Sequence, residues 1–422
     1  MSLAEKTVLV LNAGSSSLKY QLLRGGTSVA AGNVTEIGRD AVYKMSLPVK
    51  REWDCKAPDH SEALSHIVKE LSVHDISVAT LTGVGHRVVH GGSSFTCSAL
   101  IDDAVESAIE KLIPLAPLHN SANLNGIRAA RQLFPGVPQV AVFDTAFHQT
   151  MPEEAYTYGL PLEFRDALGA RRYGFHGTSH LYVSRVAAVM MGADLKDVNL
   201  VTLHLGNGSS LCAVRGGLSI DTTMGLTPNE GPLMGTRSGS LDSGVFKYLL
   251  DSIPDLTPDG LDEMLNKKSG LLGLSGYSSD RVAIDELAEK EEPDIRCGLA
   301  RRVETHMVRK YLGSMMASLG RVDGLVFTAG AGENNYGTRS RTLQGLEERP
   351  FGILLDEEAN KAAFRPKMPV CISRTDSSMP VWVVPTNEEL VIALDTMAII
   401  DGFFSSCQEY VYPFQIPSYW GL

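Results

Sequence analysis

One strand–turn–strand pattern occurs twice, almost half a chain length apart. The first copy is Leu9-Val10-Leu11-Asn12-Ala13-Gly14-Ser15-Ser16-Ser17-Leu18-Lys19, and the second is Leu203-His204-Leu205-Gly206-Asn207-Gly208-Ser209-Ser210-Leu211. Self-similarity at a fixed long spacing is the mark of a repeated unit. Each copy runs from an apolar stretch through small residues and an Asn into a second apolar stretch, which predicts a β-hairpin with a tight Gly/Asn turn. Such a turn exposes backbone N–H groups and hydroxyls, with no bulky side chain to hold an anion away. Two copies, one per half, predict a duplicated fold that grips a polyphosphate from both sides.

A chain of 422 residues has room for two or three domains. The net charge of −11, with no Lys/Arg run, argues against a nucleic-acid partner. An anionic ligand must therefore be held by a few local arginines and backbone amides. The six cysteines are scattered with no CxxC, as expected of free thiols in a reducing compartment. The apolar stretch Val8 to Leu11 is too short for a signal-peptide core, and nothing approaches a membrane span. A cytoplasmic enzyme with no membrane partner is expected.

Residues 7–11, 17–23 and 27–34 read as a strand meander, and 61–72 and 102–113 carry helical periodicity. Thr80 to Val89 reads as a buried strand entering the loop to Gly92. A helix from His119 to Leu133 precedes a strand ending at Asp144, the place where α/β sheets meet ligands. Residues 151–177 read as an irregular connection before a helix from about Ser179 to Met191. The second meander starts near Asn199 and leads into a long Gly/Thr/Pro/Ser loop, Asp221 to Ser243, a length that in a compact domain is usually functional. Further helices are expected at about 243–252, 260–267, 281–290 and 295–319. The strand Leu325 to Thr328 runs straight into a glycine-rich loop, Ala329 to Asn334. After a last strand at 381–385, a helix from Asn387 to Ile400 is expected to return to the first domain.

Arg87 and Arg237 sit among small residues, where a guanidinium can approach a ligand and offer its planar fork to a phosphoryl or carboxylate group. Asp144 and Glu388 follow apolar strands and suit either a helix start or Mg²⁺ with its waters. The pairs His86/His90 and His176/His180 have i, i+4 spacing, but Arg87 stands where a zincin has Glu, and the first pair lies in a strand and loop. Neither a Gly-x-Ser-x-Gly elbow nor a Walker pattern is present.

Taken together these blocks resemble the acetate kinase family. The matching stretches are Asn12 to Lys19, His86 to Gly92, Ala116 to Asn120, Phe143 to His148, Arg172 to His180, His204 to Gly208, Met234 to Gly239 and Pro385 to Glu389, in family order. The resemblance implies an α/β fold of two duplicated actin-like (ribonuclease H-like) domains with an interdomain cleft. One would comprise residues 1–150 with 386–422, and the other residues 151–385, carrying the nucleotide-binding and dimerisation elements. It implies a homodimer and reversible Mg²⁺- or Mn²⁺-dependent transfer between ATP and acetate, giving acetyl phosphate and ADP. By position, Asn12 and Glu388 would belong to the metal site. Ser15, Lys19, His204, Leu205, Gly206, Asn207, Gly208, Gly330, Ala331, Gly332, Glu333 and Asn334 would contact ATP, and Asp280 is carried over from a looser match, the adjacent Asp280-Arg281 standing where the family has Asp-x-Arg. Arg87 would bind the acyl substrate, Asp144 would be the active-site carboxylate, and His176 and Arg237 would stabilise the transition state. Val89, Leu118, Phe175 and Pro228 would line the pocket for the acyl methyl. The chain departs from the family at Ser240, where Asp is common, at Ser243, where Pro is common, at Asn229 and Pro232, and at Ala331, where Ile is common.

A carboxylate acceptor is already ionised at neutral pH and needs no general base. The difficulty is bringing an anion to a polyanion, and two arginines, a histidine, a divalent cation and backbone amides address it. Two other readings stand beside this one. A kinase for propionate or butyrate would differ by only roughly 1–3 kcal/mol per methylene in its pocket. A non-catalytic ATP switch of the Hsp70/actin type would need the hairpins but not the paired arginines.

Overall fold

The computed structural model describes residues 5–422, which form two compact units. The first runs to Gln149 and is completed by Asn387–Tyr412; the second is Thr150–Thr386 with Pro413–Leu422. The sequence reading had put the whole tail with the first domain. Instead, Tyr412 is buried in the first unit and donates its hydroxyl to Asp395 (2.7 Å), while Phe414 packs edge-on against Tyr182 in the second, ring centroids 4.7 Å apart.

The first unit holds an eight-stranded sheet built from β1 (Thr7–Gly14), β2 (Ser17–Arg24), β3 (Thr27–Thr35), β4 (Val42–Leu47), β5 (Arg51–Asp54), β6 (Gly83–Val88), β7 (Ala99–Leu100) and β8 (Gln139–Phe143). Its order is β5-β4-β3-β2-β1-β6-β8-β7. The second unit holds β9 (Asn199–Leu205), β10 (Ser209–Arg215), β11 (Leu218–Thr222), β12 (Gly324–Thr328), β13 (Val370–Cys371) and β14 (Val381–Val383), ordered β11-β10-β9-β12-β14-β13. The two sheets share one plan. An antiparallel meander (β1–β3 or β9–β11) is followed by two parallel strands (β6, β8 or β12, β14), with an antiparallel edge strand beyond (β7 or β13). This is the topology of duplicated actin-like domains. Val8–Leu11 of β1, Val140–Phe143 of β8 and Leu325–Phe327 of β12 are continuous apolar runs because both their faces are covered, and β9 is as deeply buried but carries Thr202 and His204.

In the first unit the helix Glu388–Ile400, apolar almost all round, lies against β6. The approach depends on Gly85, where a Cβ would lie 2.6 Å from both Ile392 and Thr396. The connection 151–177, read as irregular, contains short helices at Glu153–Tyr156 and Leu162–Leu168 and a bridge from Thr157 to Arg171. A short helix at Gly270–Ser275 was not anticipated, and Ala329–Asn334 is a turn of helix rather than a loop. No helix among the described residues is long and apolar enough to cross a membrane.

Candidate functional site

The functional groups fall into two sets, one per unit. In the first unit β1 and β2 pair as far as Gly14 opposite Ser17, so the turn is Ser15-Ser16, both exposed. Asn12 and Gly14, expected in the turn, are strand residues. Asn12 sits opposite exposed Lys19. Beyond β6 the loop is held by two side-chain amides of the helix Pro117–Leu133. Asn123 accepts from the Val89 N–H (3.0 Å) and donates to the Ala13 carbonyl (2.8 Å), tying that loop to the end of β1. Asn120 accepts from the His90 N–H and donates to its carbonyl.

Arg87, near the end of β6, donates from Nε and Nη2 to the two carboxylate oxygens of Asp144 (2.9 and 2.5 Å). Asp144 is 1% exposed and Arg87 22%. Burial works against the Arg87 charge, but Asp144 and then Glu388 outweigh it and hold the guanidinium ionised. Asp144 therefore orients Arg87 rather than presenting a bare carboxylate, and the fork leaves Nη1 outside the pair. Glu388 opens its helix behind the N-cap Asn387. Beside it, burial and then Glu388 push Glu389 above the usual carboxylate range, against Arg87 and Lys19. Arg87, Lys19 and these two glutamates thus share one electrostatic neighbourhood. Val89 is buried, whereas Leu118 is exposed near the start of its helix.

In the second unit the Gly206-Asn207-Gly208 turn closes β9 onto β10, and it is ringed by side chains. A Cβ placed on Gly208 would lie 3.4 Å from His176 Nε2 and 3.5 Å from Arg237 Nη1, so both candidate side chains converge on this turn. His176 has a left-handed backbone (φ 57°) at the start of the helix Gly177–Met190, a conformation uncommon outside glycine and frequent at functional sites. Its ring stacks on His204, centroids 3.9 Å apart. Arg237 donates from Nη1 to the carbonyl of half-buried Pro228 (3.4 Å). Its loop is clamped from below by the N–H groups of Ser269, Leu271 and Leu272, bonded to the carbonyls of Thr236, Met234 and Gly235. Gly270 makes that clamp possible. It has φ +63°, and a Cβ there would overlap the Met234 carbonyl oxygen and lie 2.7 Å from that of Arg237.

Other expected residues have protein partners. Asp280 is an exposed N-cap whose side chain accepts from the Val282 N–H. Its neighbour Arg281, the other half of that looser match, is buried and reaches the turn. It donates to the Gly206 carbonyl and to Ser209 Oγ (3.0 Å) and is balanced by Glu304. Glu333 accepts from the N–H groups of Ala329 (2.8 Å) and Thr386 (3.0 Å), and this carboxylate lets the glycine-rich Ala329–Asn334 stretch form a helix. Asn334 accepts from the Arg365 N–H. Phe175 is buried in the core. At the departures, Ser240 Oγ accepts from the Gly231 N–H (3.0 Å) and from the Tyr311 hydroxyl (2.6 Å), closing the base of the long loop. Ser243 precedes the helix Gly244–Ser252 without capping it through its side chain.

No cluster of three His, Cys, Asp or Glu side chains that could cage a metal occurs among the described residues. An amide oxygen and a carboxylate, the donors that Asn12 and Glu388 offer, are of the kind Mg²⁺ accepts, since it keeps several waters and takes further ligands from phosphate.

A model of the acetokinase family matches residues 7–394. The acetate kinase of Trichlorobacter lovleyi is 45% identical over 98% of this chain and 99% of its own, and that of Streptomyces avermitilis is 48% identical over 93% and 97%. Among solved structures, Porphyromonas gingivalis acetate kinase superposes with a TM-score of 0.87 at 44% identity, covering 94% of this chain and all of the other. A Francisella tularensis propionate kinase also reaches 0.87, at 38% identity, covering 93% and 99%.

Proposed function

Because the chain belongs to the acetokinase family, we propose that it catalyses reversible phosphoryl transfer between ATP and acetate, giving ADP and acetyl phosphate. The observation that carries this reading is the convergence of His176 and Arg237 on the Gly206–Gly208 turn. An anion cradle for a nucleotide alone needs backbone amides; a guanidinium and an imidazole aimed at the same place add compensation for charge that is in transit.

Acetate arrives ionised, so no residue need deprotonate it. Arg87 receives the carboxylate at its Nη1 edge, and Asp144 acts through Arg87 by fixing the orientation of its fork. Lys19, Ser15 and the His204–Gly208 turn hold ATP, with Arg281 bracing that turn from behind. The first residues of the Ala329–Asn334 helix contribute through Gly330, Ala331 and Gly332. Arg237 and His176 neutralise and hydrogen-bond the transferring group, which moves directly and in line through a loose, metaphosphate-like transition state. Asn12 and Glu388 would hold Mg²⁺, which when bound neutralises phosphate charge. A covalent phospho-enzyme is the competing route, and rapid-quench labelling that traps none at a competent rate supports direct transfer. The same reading includes a homodimer, which light scattering of the purified protein checks.

The test is a hydroxamate assay with ATP and acids of increasing chain length. Acetate is expected to give the highest kcat/KM, and ATP hydrolysis without dependence on any carboxylate would replace this reading with that of a nucleotide switch. A propionate preference is the second reading, favoured by the likeness to the propionate kinase structure. The same assay separates them, since one methylene changes kcat/KM by roughly 10- to 200-fold.

A further inference from the structure

Two imidazoles beside the second turn are anchored alike. His176 Nδ1 meets Ser210 Oγ at 2.9 Å, and His204 Nδ1 meets Ser179 Oγ at 2.8 Å. With Nδ1 tied back, each ring turns its other nitrogen to the loop: Nε2 of His176 lies 3.4 Å from a Cβ placed on Gly208, and Nε2 of His204 3.5 Å from one on Gly206. Ser210 is fully buried, and its oxygen also lies 2.8 Å from His180 Nε2, whose Nδ1 is 2.7 Å from Thr202 Oγ1. A serine hydroxyl has one proton and two acceptor sites, so Ser210 donates to at most one of the two ring nitrogens and at least one of them must donate to it. The tautomer of His176 is therefore linked to that of His180, and through it to Thr202. The stacked His204 ring, the Arg237 guanidinium and Arg281, which is bonded to Gly206 and Ser209 and paired with Glu304, also face this turn.

We propose that Ser210 is a positioning residue for phosphoryl transfer, its hydroxyl fixing the orientation and tautomer of the His176 ring so that Nε2 is presented at the Gly206–Gly208 turn. This rests on the reading that His176 acts on the transferring group. Ser210 sits on rigid β10, whereas His176 sits at a strained helix start, so the strand supplies the reference position that the helix end lacks.

The experiment is a double-mutant cycle on the full chain with Ser210→Ala, His176→Ala and the pair, read as kcat and as KM for ATP and acetate. Ser210→Ala is expected to lower kcat by about 3- to 10-fold, the effect of one buried hydrogen bond, with both KM values unchanged within about two-fold. Ser210→Thr, which keeps the hydroxyl, is expected to retain most of the activity. In the His176→Ala background Ser210→Ala is expected to change nothing further, and histidine ¹⁵N spectra of Ser210→Ala are expected to show a shifted His176 Nδ1. An equal kcat loss in both backgrounds, or an unmoved Nδ1 resonance, would overturn the proposal. If His176→Ala itself keeps full kcat, the functional reading of His176 fails first, which the single variant shows on its own. Should Ser210→Ala not fold, Ser210→Cys carries the same cycle.

Discussion

Asp144→Asn tests the Arg87 site most directly, because it removes a charge while keeping the shape. In the native protein Asp144 accepts both Nε–H and Nη2–H of Arg87 from a position that is 1% exposed. Asparagine offers one acceptor oxygen, so at most one of those bonds survives, and its amide nitrogen faces a guanidinium N–H that also donates. A hydrogen bond to a charged group contributes about 1.5–3 kcal/mol. At 1.36 kcal/mol per tenfold, kcat/KM for acetate should fall by about 10- to 150-fold. The loss should appear with the carboxylate as varied substrate, because Arg87 holds the acyl group; KM for ATP should move by less than about three-fold. Steady-state hydroxamate kinetics with each substrate varied in turn, beside a thermal melt confirming the fold, measure this. A kcat/KM for acetate within two-fold of wild type would refute the argument that Asp144 acts by orienting Arg87, as would an equal loss in an Arg87→Ala background.

Arg237→Ala should lower kcat by at least roughly 10³-fold, the scale of an arginine on a transferring phosphoryl group, and a loss of only a few-fold in steady-state kinetics would remove Arg237 from the chemistry. Gly270→Ala should displace the Met234–Arg237 loop, since the new methyl meets backbone oxygens that cannot swing away. Its expected signature is a kcat loss larger than its loss of melting temperature would suggest, and a variant with wild-type kcat would show the clamp to be dispensable. The buried His86 imidazole is lowered to about 4 by burial, with its hydrogen bond to Gln139 opposing. Between about pH 6.5 and 4 the unfolded chain binds a proton that the native state refuses, so His86 favours folding above that window and the benefit disappears as pH falls through it. Urea unfolding at pH 7.5, 6 and 4.5 should show a smaller loss of stability with acid for His86→Gln than for wild type, and identical slopes would contradict the assignment.

The repeated plan of the two sheets was legible because it is written in local patterns. Runs such as Val8–Leu11 and Leu325–Phe327 are buried on both faces and therefore continuously apolar, and small residues beyond the meander strands mark where the chain reverses. Arg87 and Arg237 stood out for a similar reason, as charged groups among small residues with little steric cover, whereas the role expected of His176 came only from the family resemblance. Arg281 entered only as the neighbour of Asp280 in a loose match, because nothing around it in the chain shows its contacts: they are with Gly206 and Ser209, more than seventy positions away. Glu333 shows the reverse case. Its glycine-rich surroundings suggested a nucleotide loop, but the carboxylate is used by the backbone of Ala329 and Thr386, and a residue so used folds the segment it seemed to open. The tail was unreadable because aromatic spacing does not say which surface an aromatic residue will cover.

Hydrophobic periodicity and turn chemistry act over a few residues, so the strands, most of the helices and the duplicated plan followed from the order of amino acids alone. The same holds for the kinds of group available to meet phosphate and carboxylate. Which nitrogen of His176 faces the turn, which edge of Arg87 Asp144 occupies, and that Arg281 rather than Asp280 braces the second cradle were decided only by tertiary structure. Hydrogen-bond direction depends on tenths of an ångström between residues far apart in the chain, and that precision exists only once strand register and helix packing have been set.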